Sequence, residues 1–224
     1  MKTQLLSSLA AGLILMTGAL TTVPAFADDD DIRRYAITVT NLTRGQILTP
    51  PVVISHNQDF SLFTPGAPAS SELATLAEDG MTGPLVGLLG TLPAVYDSSV
   101  SPGPVLPGHS VTVEITTSGR FNAISAAGML ATTNDGFFAV QGIMAPRRDG
   151  VTAEAEAYDA GSEANTESCA FIPGPPCGHP GVRDTAGAEG YVHIHAGIHG
   201  IGDLTPAMHD WRNPVAHVTI RRIQ

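Results

Sequence analysis

The chain has 224 residues, of which 43% are hydrophobic and 14% are charged, and its formal net charge is −10 at pH 7. This length suits one domain with a substantial core. Eleven basic residues against 21 acidic ones leave no basic stripe, which argues against nucleic acid and anionic membrane surfaces as partners. Cations are the small partners that such a field attracts.

The first 27 residues have the pattern of a secretory signal peptide. Lys2 supplies a positive start, residues 5–20 are apolar but too interrupted for a membrane span, and Ala25-Phe26-Ala27 fits the A-x-A cleavage pattern. Four aspartates follow the cut directly. We therefore expect residues 1–27 to be removed and residues 28–224 to form one secreted or periplasmic domain without stable membrane insertion.

Alternation of apolar and polar residues predicts three strands in the first half of this domain. Residues 33–41 alternate cleanly, so one face of that strand should be buried. Residues 46–56 form a second strand, which Pro50-Pro51 must interrupt or confine to an edge. Residues 110–117, with sequence SVTVEITT, are the third.

A helix and a loop are expected between the second and third of these strands. Residues 71–79 carry an apolar stripe of Leu73 and Leu76, and the preceding serines can cap a short helix there. Residues 98–108 are rich in proline and glycine, a composition typical of a loop.

The second half of the chain predicts a further series of short strands. Asp149-Gly150 should form a hairpin turn between two of them. The predicted strands cover residues 120–130, 137–144, 152–158, 191–195 and 214–223. With about eight short strands and one or two short helices, the fold class is all-β, an antiparallel β-sandwich.

Cys169 and Cys177 are the two cysteines of the chain, and they lie in a loop rich in proline and glycine. In an exported chain, an even pair that closes a short loop predicts a disulfide. A zinc site with the nearby His179 is the alternative, but two thiols are few for such a site.

The segment near the C-terminus is rich in histidine. His193 and His195 are two residues apart on a predicted strand, so their side chains should leave the same face, where they could bind a metal with His199 as a third ligand. The second interpretation is that they are half-exposed polar residues of a strand and bind no metal. This structural interpretation is favoured, because no carboxylate stands at a diagnostic spacing.

Two acidic turns flank the predicted strands of the second half. Asp135 precedes one strand in TNDGF, and Asp159 and Glu163 follow another in YDAGSE. Loops of a sandwich can cluster at one pole, and calcium prefers the oxygens of carboxylates, carbonyls and water. On the residues alone, these are also ordinary turn sequences.

The order NDGFFAV, AYDAGSE and a terminal VAHVTIRRI resembles the spondin amino-terminal domain in its bacterial exported form, over about residues 33–223. The resemblance implies a C2-like β-sandwich that binds one calcium ion at a pole through Asp135, Asp159 and Glu163. Two departures are visible. The third ligand is a glutamate instead of an aspartate, and Gly136 separates Asp135 from the aromatic residue that directly follows the acid in the family.

The resemblance favours a secreted, non-catalytic calcium-binding module for adhesion or recognition. Its ligand would be a protein or polysaccharide outside the cell or at its surface. No G-x-S-x-G elbow, P-loop or dinucleotide fingerprint is present.

The enzymatic alternative is a copper/zinc oxidoreductase of the superoxide dismutase kind. It would use His193 and His195, and Gly202-Asp203-Leu204 matches a glycine-rich stretch of that family. The chain lacks the spaced bridging histidine followed by a metal-binding aspartate that this family carries.

Overall fold

The computed structural model describes residues 32–224, and the predicted signal peptide lies outside the described residues. The described part contains three short helices, α1 (Ser71–Asp79), α2 (Gly83–Leu89) and α3 (Pro206–His209), and a 3₁₀ turn at Cys169–Phe171. Its nine strands are β1 (Ile32–Asn41), β2 (Val52–His56), β3 (Val95–Val100), β4 (Ser110–Ser118), β5 (Ala123–Met129), β6 (Gly136–Met144), β7 (Gly150–Asp159), β8 (His193–Ile194) and β9 (Ala216–Arg222). The prediction of an all-β fold is confirmed, with one strand more than expected.

All strand pairs are antiparallel, in the order β3-β2-β5-β6-β7-β9-β1-β4, and β8 pairs with β7. The two ends of this order also touch. The N–H of Thr116 donates to Asp97 Oδ2 at 2.9 Å, and Ser55 Oγ donates to the Thr116 carbonyl at 2.6 Å. The sheet therefore curls into a nearly closed, sandwich-like barrel.

Strand β7 changes partners along its length. Residues 150–155 pair with β9, residues 156–159 pair with β6, and the last two residues of β7 also pair with β8. Asp159 thus stands between Gly136 of β6 and His193 of β8 in register. This register places the start of β6 and the end of β7 side by side.

Two apolar cores lie on the two faces of β6. Phe138 belongs to the larger core with Tyr35, Ile37 and Trp211, whereas Phe137 belongs to a smaller core under α1 and α2. Neighbouring residues of a strand point to opposite faces, which explains how two consecutive phenylalanines reach two cores. Both rings are fully buried.

Helix α1 follows the predicted boundaries. The hydroxyl of Ser70 accepts the N–H of Leu73 at 3.2 Å, which is an N-cap bond, and the helix ends at Gly80 in the left-handed region with φ 68°. Its buried residues Leu73 and Leu76 pack into the smaller core.

Three predicted boundaries need correction. The predicted strand over residues 191–195 is reduced to His193–Ile194, because Val192 bonds instead to a distant loop, donating to the Ala67 carbonyl and accepting from the Gly66 N–H. The predicted loop over residues 98–108 begins later, since β3 extends to Val100 and pairs there with Val52. The predicted strand over residues 46–56 is regular only after its proline pair.

The predicted disulfide joins Cys169 to Cys177, whose Cα atoms are 4.7 Å apart. The loop that it closes packs on the connection between β5 and β6: the N–H of Gly174 donates to the Ala131 carbonyl at 2.9 Å, and Thr132 Oγ1 donates to the Pro175 carbonyl at 2.7 Å. The bridge therefore supports the segment that leads to Asp135. None of the described helices is long and apolar enough to span a membrane.

Replacing both Cys169 and Cys177 with alanine should lower the free energy of unfolding by about 2–3 kcal/mol, because the unfolded chain loses a closed loop. Urea denaturation of the double variant and the wild type measures this loss. Thiol titration of the unfolded, unreduced wild type should find no thiol. Two reactive thiols there would contradict the bridge.

Candidate metal site

The three predicted acidic ligands come from two adjacent loops. Asp135 ends the connection between β5 and β6, whereas Asp159 and Glu163 lie at and after the end of β7. The N–H of Ala160 donates to the Asp135 carbonyl at 3.1 Å and joins the loops. The Glu163 N–H also donates to Asp135 Oδ2, so the two loops are in contact, and all three residues are 0% exposed.

Asp135 uses only one of its carboxylate oxygens within the protein. Its Oδ2 accepts the backbone N–H of Ser162 at 2.7 Å and that of Glu163 at 3.0 Å, and the Ser162 hydroxyl lies 3.2 Å away. Its Oδ1 is buried and has no hydrogen-bond partner. The bonded oxygen fixes the side chain, and the other oxygen is available to a ligand.

The carboxylate of Glu163 also has one bonded and one unpartnered oxygen. Its Oε1 accepts the N–H of Asp184 at 3.1 Å and lies 3.9 Å from the Arg183 Nε, whereas its Oε2 is buried without a partner. Arg183 makes closer ion pairs with Glu78, at 2.5 Å, and with Asp79, both at the end of α1. One guanidinium is therefore shared among three carboxylates.

Asp159 has a partner on each oxygen. Its Oδ1 accepts the Gly161 N–H at 2.7 Å, its Oδ2 accepts Asn165 Nδ2 at 2.5 Å, and Oδ1 also lies 3.9 Å from His193 Nε2. Gly161 has φ 67°, and a Cβ there would lie 2.3 Å from the Tyr191 carbonyl oxygen. The turn Asp-Ala-Gly thus depends on glycine both for its backbone conformation and for the close approach of Tyr191.

The buried carboxyls are strongly perturbed. Burial raises the pKa of Asp135 to about 7, and the negative charge of Asp159 adds to the effect. Burial also raises the pKa of Glu163 to about 8, although Arg183 and the Asp184 N–H act in the opposite direction. The pKa of Asp159 is raised by burial as well. A cation at this position would favour the ionised form of all three carboxyls.

Unpartnered polar atoms are concentrated here. Within residues 32–224, the buried side-chain nitrogens and oxygens without a partner are Asn134 Nδ2, Asp135 Oδ1, Glu163 Oε2 and His195 Nε2. Asn134 and Asp135 are neighbours, and the His195 ring is packed so closely that its Cδ2 would lie 2.9 Å from a Cβ on Gly136. Buried polar atoms nearly always have partners, so such a concentration indicates a position for an ion or water.

The three histidines of the alternative site have different surroundings. His195 is buried against Trp211, its Nδ1 accepts the Gly197 N–H at 3.0 Å, and burial lowers its pKa to about 4. His199 is exposed, and its Nε2 lies 3.2 Å from the Ala196 carbonyl. His193 is half-buried and faces Asp159.

The residues whose potential ligand atoms lie closest together are neither the predicted calcium ligands nor the three histidines. In the part of the chain that the structure describes, the one group of three ligand atoms within 4.8 Å of one another belongs to Asp159, Glu189 and His193. Neither the three histidines nor the three predicted calcium ligands meet this distance as a set. For calcium the limit is not decisive, because bonds of about 2.3–2.6 Å allow opposite ligands to lie about 5 Å apart.

Several residues of this region were not anticipated from the sequence. Glu189 is four residues before His193 in a glycine-containing loop, and no local pattern connects it to Asp159. Arg183 reaches the site from a long connection after the disulfide. Asn165 had the clearest signal, since an amide six residues after the first acid of YDAGSE is well placed to bond back to it.

The chain matches no protein-family model and no curated protein sequence.

Replacing Gly161 with alanine should destabilise the protein by at least about 3 kcal/mol, because it adds a backbone clash to the cost of the left-handed conformation. Gly142→Ala is the matched control: φ is 66° there and a Cβ would meet nothing within 4 Å. The control should cost only about 1–2 kcal/mol. Equal losses in urea denaturation would show that Tyr191 does not press on the turn.

In a chelator, the wild type should lose stability as the pH rises from 6.5 to 8. The folded pKa values of Asp135 and Glu163, about 7 and about 8, lie above their ordinary values of 3.8 and 4.5, so the unfolded chain ionises first. The lowered pKa values of His195 and His56 act in the opposite direction near pH 6.5, because these rings are protonated there only in the unfolded chain, and this effect fades as the pH rises toward 8. Urea denaturation at several pH values measures the slope.

The double variant Asp135→Asn/Glu163→Gln provides the control for this pH dependence. Neither amide titrates, so the loss of stability between pH 6.5 and 8 should disappear. An unchanged slope in the variant would mean that other groups cause the pH dependence.

Proposed function

We propose that this chain is an exported, non-catalytic calcium-binding module for adhesion or recognition, of the spondin amino-terminal type. One observation carries the calcium part of the proposal. Asp135 Oδ1 and Glu163 Oε2 are buried carboxylate oxygens without hydrogen-bond partners. Their two loops are joined by the N–H groups of Ala160 and Glu163, which donate to the carbonyl and the side chain of Asp135. Desolvated negative oxygens of this kind are strongly unfavourable unless a cation or a proton compensates them.

Calcium is the cation whose chemistry suits these groups. The candidate ligand atoms, Asp135 Oδ1 and Glu163 Oε2, are oxygens. Calcium takes six to eight oxygen ligands in flexible geometry, including backbone carbonyls and water. Magnesium requires a near-ideal octahedron, which loops of irregular shape supply less readily. The acidic balance of the chain, −10 at pH 7, further favours cation capture.

The ion would have a structural effect as well as occupying a site. It would lie between the loop before β6 and the loop after β7. It would neutralise Asp135 and Glu163, of which only Glu163 lies near Arg183, a guanidinium already shared with Glu78 and Asp79. The apo form balances the same charges by taking up protons, because the pKa values of Asp135 and Glu163 are near or above 7. Calcium and protons therefore compete for this position.

The other parts of the proposal have separate support. The disulfide between Cys169 and Cys177 is typical of an oxidising compartment, which agrees with export by the predicted signal peptide. The resemblance to the spondin domain supports an extracellular protein or polysaccharide as the ligand. The oxidoreductase alternative lacks its predicted ligand set, since His195 and His199 do not join His193 in a ligand group.

Calcium at a hundredfold excess over its Kd should stabilise the wild type by about 2.7 kcal/mol, which corresponds to a rise in Tm of about 5–10 °C for a domain of this size. Asp135→Asn and Glu163→Gln should each lose most of this response, because each removes an unpartnered negative oxygen. Thermal melting in calcium and in a chelator measures it.

Glu154→Gln is the matched control for these variants. It makes the same chemical change at an exposed position of β7 and should keep the full calcium response. Both site variants are expected to remain folded, since an amide removes buried charge. If the wild type melts at one temperature in calcium and in chelator, the calcium proposal is wrong.

A further inference from the structure

A second group of metal-binding side chains lies where the end of β7 pairs with β8. We call this group the outer position, and the unpartnered oxygens of Asp135 and Glu163 the inner position. Asp159 of β7 and His193 of β8 are directly opposite each other in register, so their side chains share one face of the sheet. The Asp159 Oδ1 and His193 Nε2 atoms are 3.9 Å apart. Glu189 completes a group whose three ligand atoms all lie within 4.8 Å of one another.

The contact of the His193 ring with the backbone favours the tautomer whose Nε2 is free to bind a metal ion. Its Nδ1 lies 3.1 Å from the Ile194 carbonyl, and a carbonyl only accepts, so Nδ1 carries the hydrogen. In the neutral ring, the Nε2 lone pair then faces the Asp159 carboxylate. Metal-ligating histidines commonly donate their other N–H to a backbone carbonyl in this way.

The distance between these two atoms suits a bridging ion. At 3.9 Å, His193 Nε2 and Asp159 Oδ1 are too far apart for a hydrogen bond. A zinc ion with bonds of about 2.0–2.2 Å spans two ligand atoms that are up to about 4 Å apart. Two electron-rich atoms facing each other across this gap are stabilised either by a proton on Nε2 or by a metal ion.

We propose that Asp159, Glu189 and His193 form a binding site for a transition-metal ion of the zinc class. Imidazole nitrogen is a ligand for zinc, copper and nickel and is foreign to calcium sites, so the outer position differs from the inner one in its choice of ion. Three protein ligands leave a further coordination position. Glu189 is exposed and His193 is half-exposed, so that position faces solvent.

The surroundings of the ligands limit their movement. Asp159 is fixed by the Gly161 N–H and by Asn165, at 2.7 and 2.5 Å. The Tyr191 ring packs edge-on against His193, with centroids 5.3 Å apart. Supporting contacts of this kind hold metal ligands in the orientation that an ion requires.

The argument for this site uses other residues than the calcium proposal, although Asp159 is a predicted ligand of both ions. Because a positive ion at one position lowers the affinity of Asp159 for an ion at the other, calcium and zinc should weaken each other's binding. His193 and Glu189 contribute no oxygen to the unpartnered pair at the inner position. Variants at these two residues therefore separate the two proposals.

The test is isothermal titration calorimetry of the mature protein with zinc chloride in a calcium-free buffer. The wild type should bind one zinc ion with an affinity that falls at least tenfold in His193→Gln and in Glu189→Gln. His199→Gln, an exposed histidine nearby, is the matched control and should bind zinc as the wild type does. Cobalt chloride supplies a second readout, since its visible absorption bands should appear in the wild type and disappear in His193→Gln.

Three results would overturn the proposal. They are the absence of a stoichiometric zinc site in the wild type, an unchanged affinity in His193→Gln, and an equal loss in His199→Gln. The last would assign the ion to the histidine cluster. His193→Gln should leave the calcium-dependent rise in Tm intact, whereas Glu163→Gln should remove that rise and leave the zinc site, so failure of one proposal is distinguishable from failure of the other.

Discussion

The structure depends on the burial of carboxylates where β6 and β7 meet. Asp135, Asp159 and Glu163 are all fully buried there, and Arg183, which lies 3.9 Å from Glu163, makes closer ion pairs with Glu78 and Asp79. Burying charge without a matching opposite charge is costly, so the surrounding segments have to stabilise it. The end of α1, the disulfide-closed loop and the segment before β8 all pack around this corner.

The hydrogen bonds within this corner distinguish structural acids from candidate ligands. Glu167 is also buried, but its Oε1 accepts the His199 N–H at 2.5 Å, and its Oε2 accepts the N–H groups of Gly200 and Ile201 at 2.7 and 3.0 Å. Both of its oxygens are satisfied, and its role is to order the 199–201 loop. Asp135 and Glu163 each have one satisfied and one unsatisfied oxygen, which is the pattern of a ligand held in place by the protein.

Local patterns were sufficient to predict the acidic turns and the described strands other than β3, whose last residues were assigned to a loop. Alternation predicted β1 and β4. Asp149-Gly150 marks the break between β6 and β7, but it does not close a tight hairpin, because the ladder between these strands ends at Ala139 and Glu156 and residues 150–155 pair with β9 instead. The residue types of NDG and DAG predicted turns at the strand ends, and the antiparallel register then places those turns together. Their role as calcium ligands came from the family resemblance and stays a prediction.

The parts that could not be predicted depend on distant contacts. Residues 191–195 have the alternation of a strand, but the backbone of Val192 bonds to residues 66 and 67, more than a hundred residues earlier. Glu189 joins Asp159 and His193 only because β8 pairs with the end of β7. The burial of His195 against Trp211 likewise depends on the path of the chain between β8 and β9.

A crystal structure determined in the presence of calcium, with an anomalous difference map recorded at long wavelength, tests the central claim most directly. The account predicts one calcium peak within about 2.3–2.6 Å of Asp135 Oδ1 and Glu163 Oε2. A well-ordered map that shows no peak at this position, and places water or a hydrogen-bonded carboxyl group against both oxygens, would contradict it.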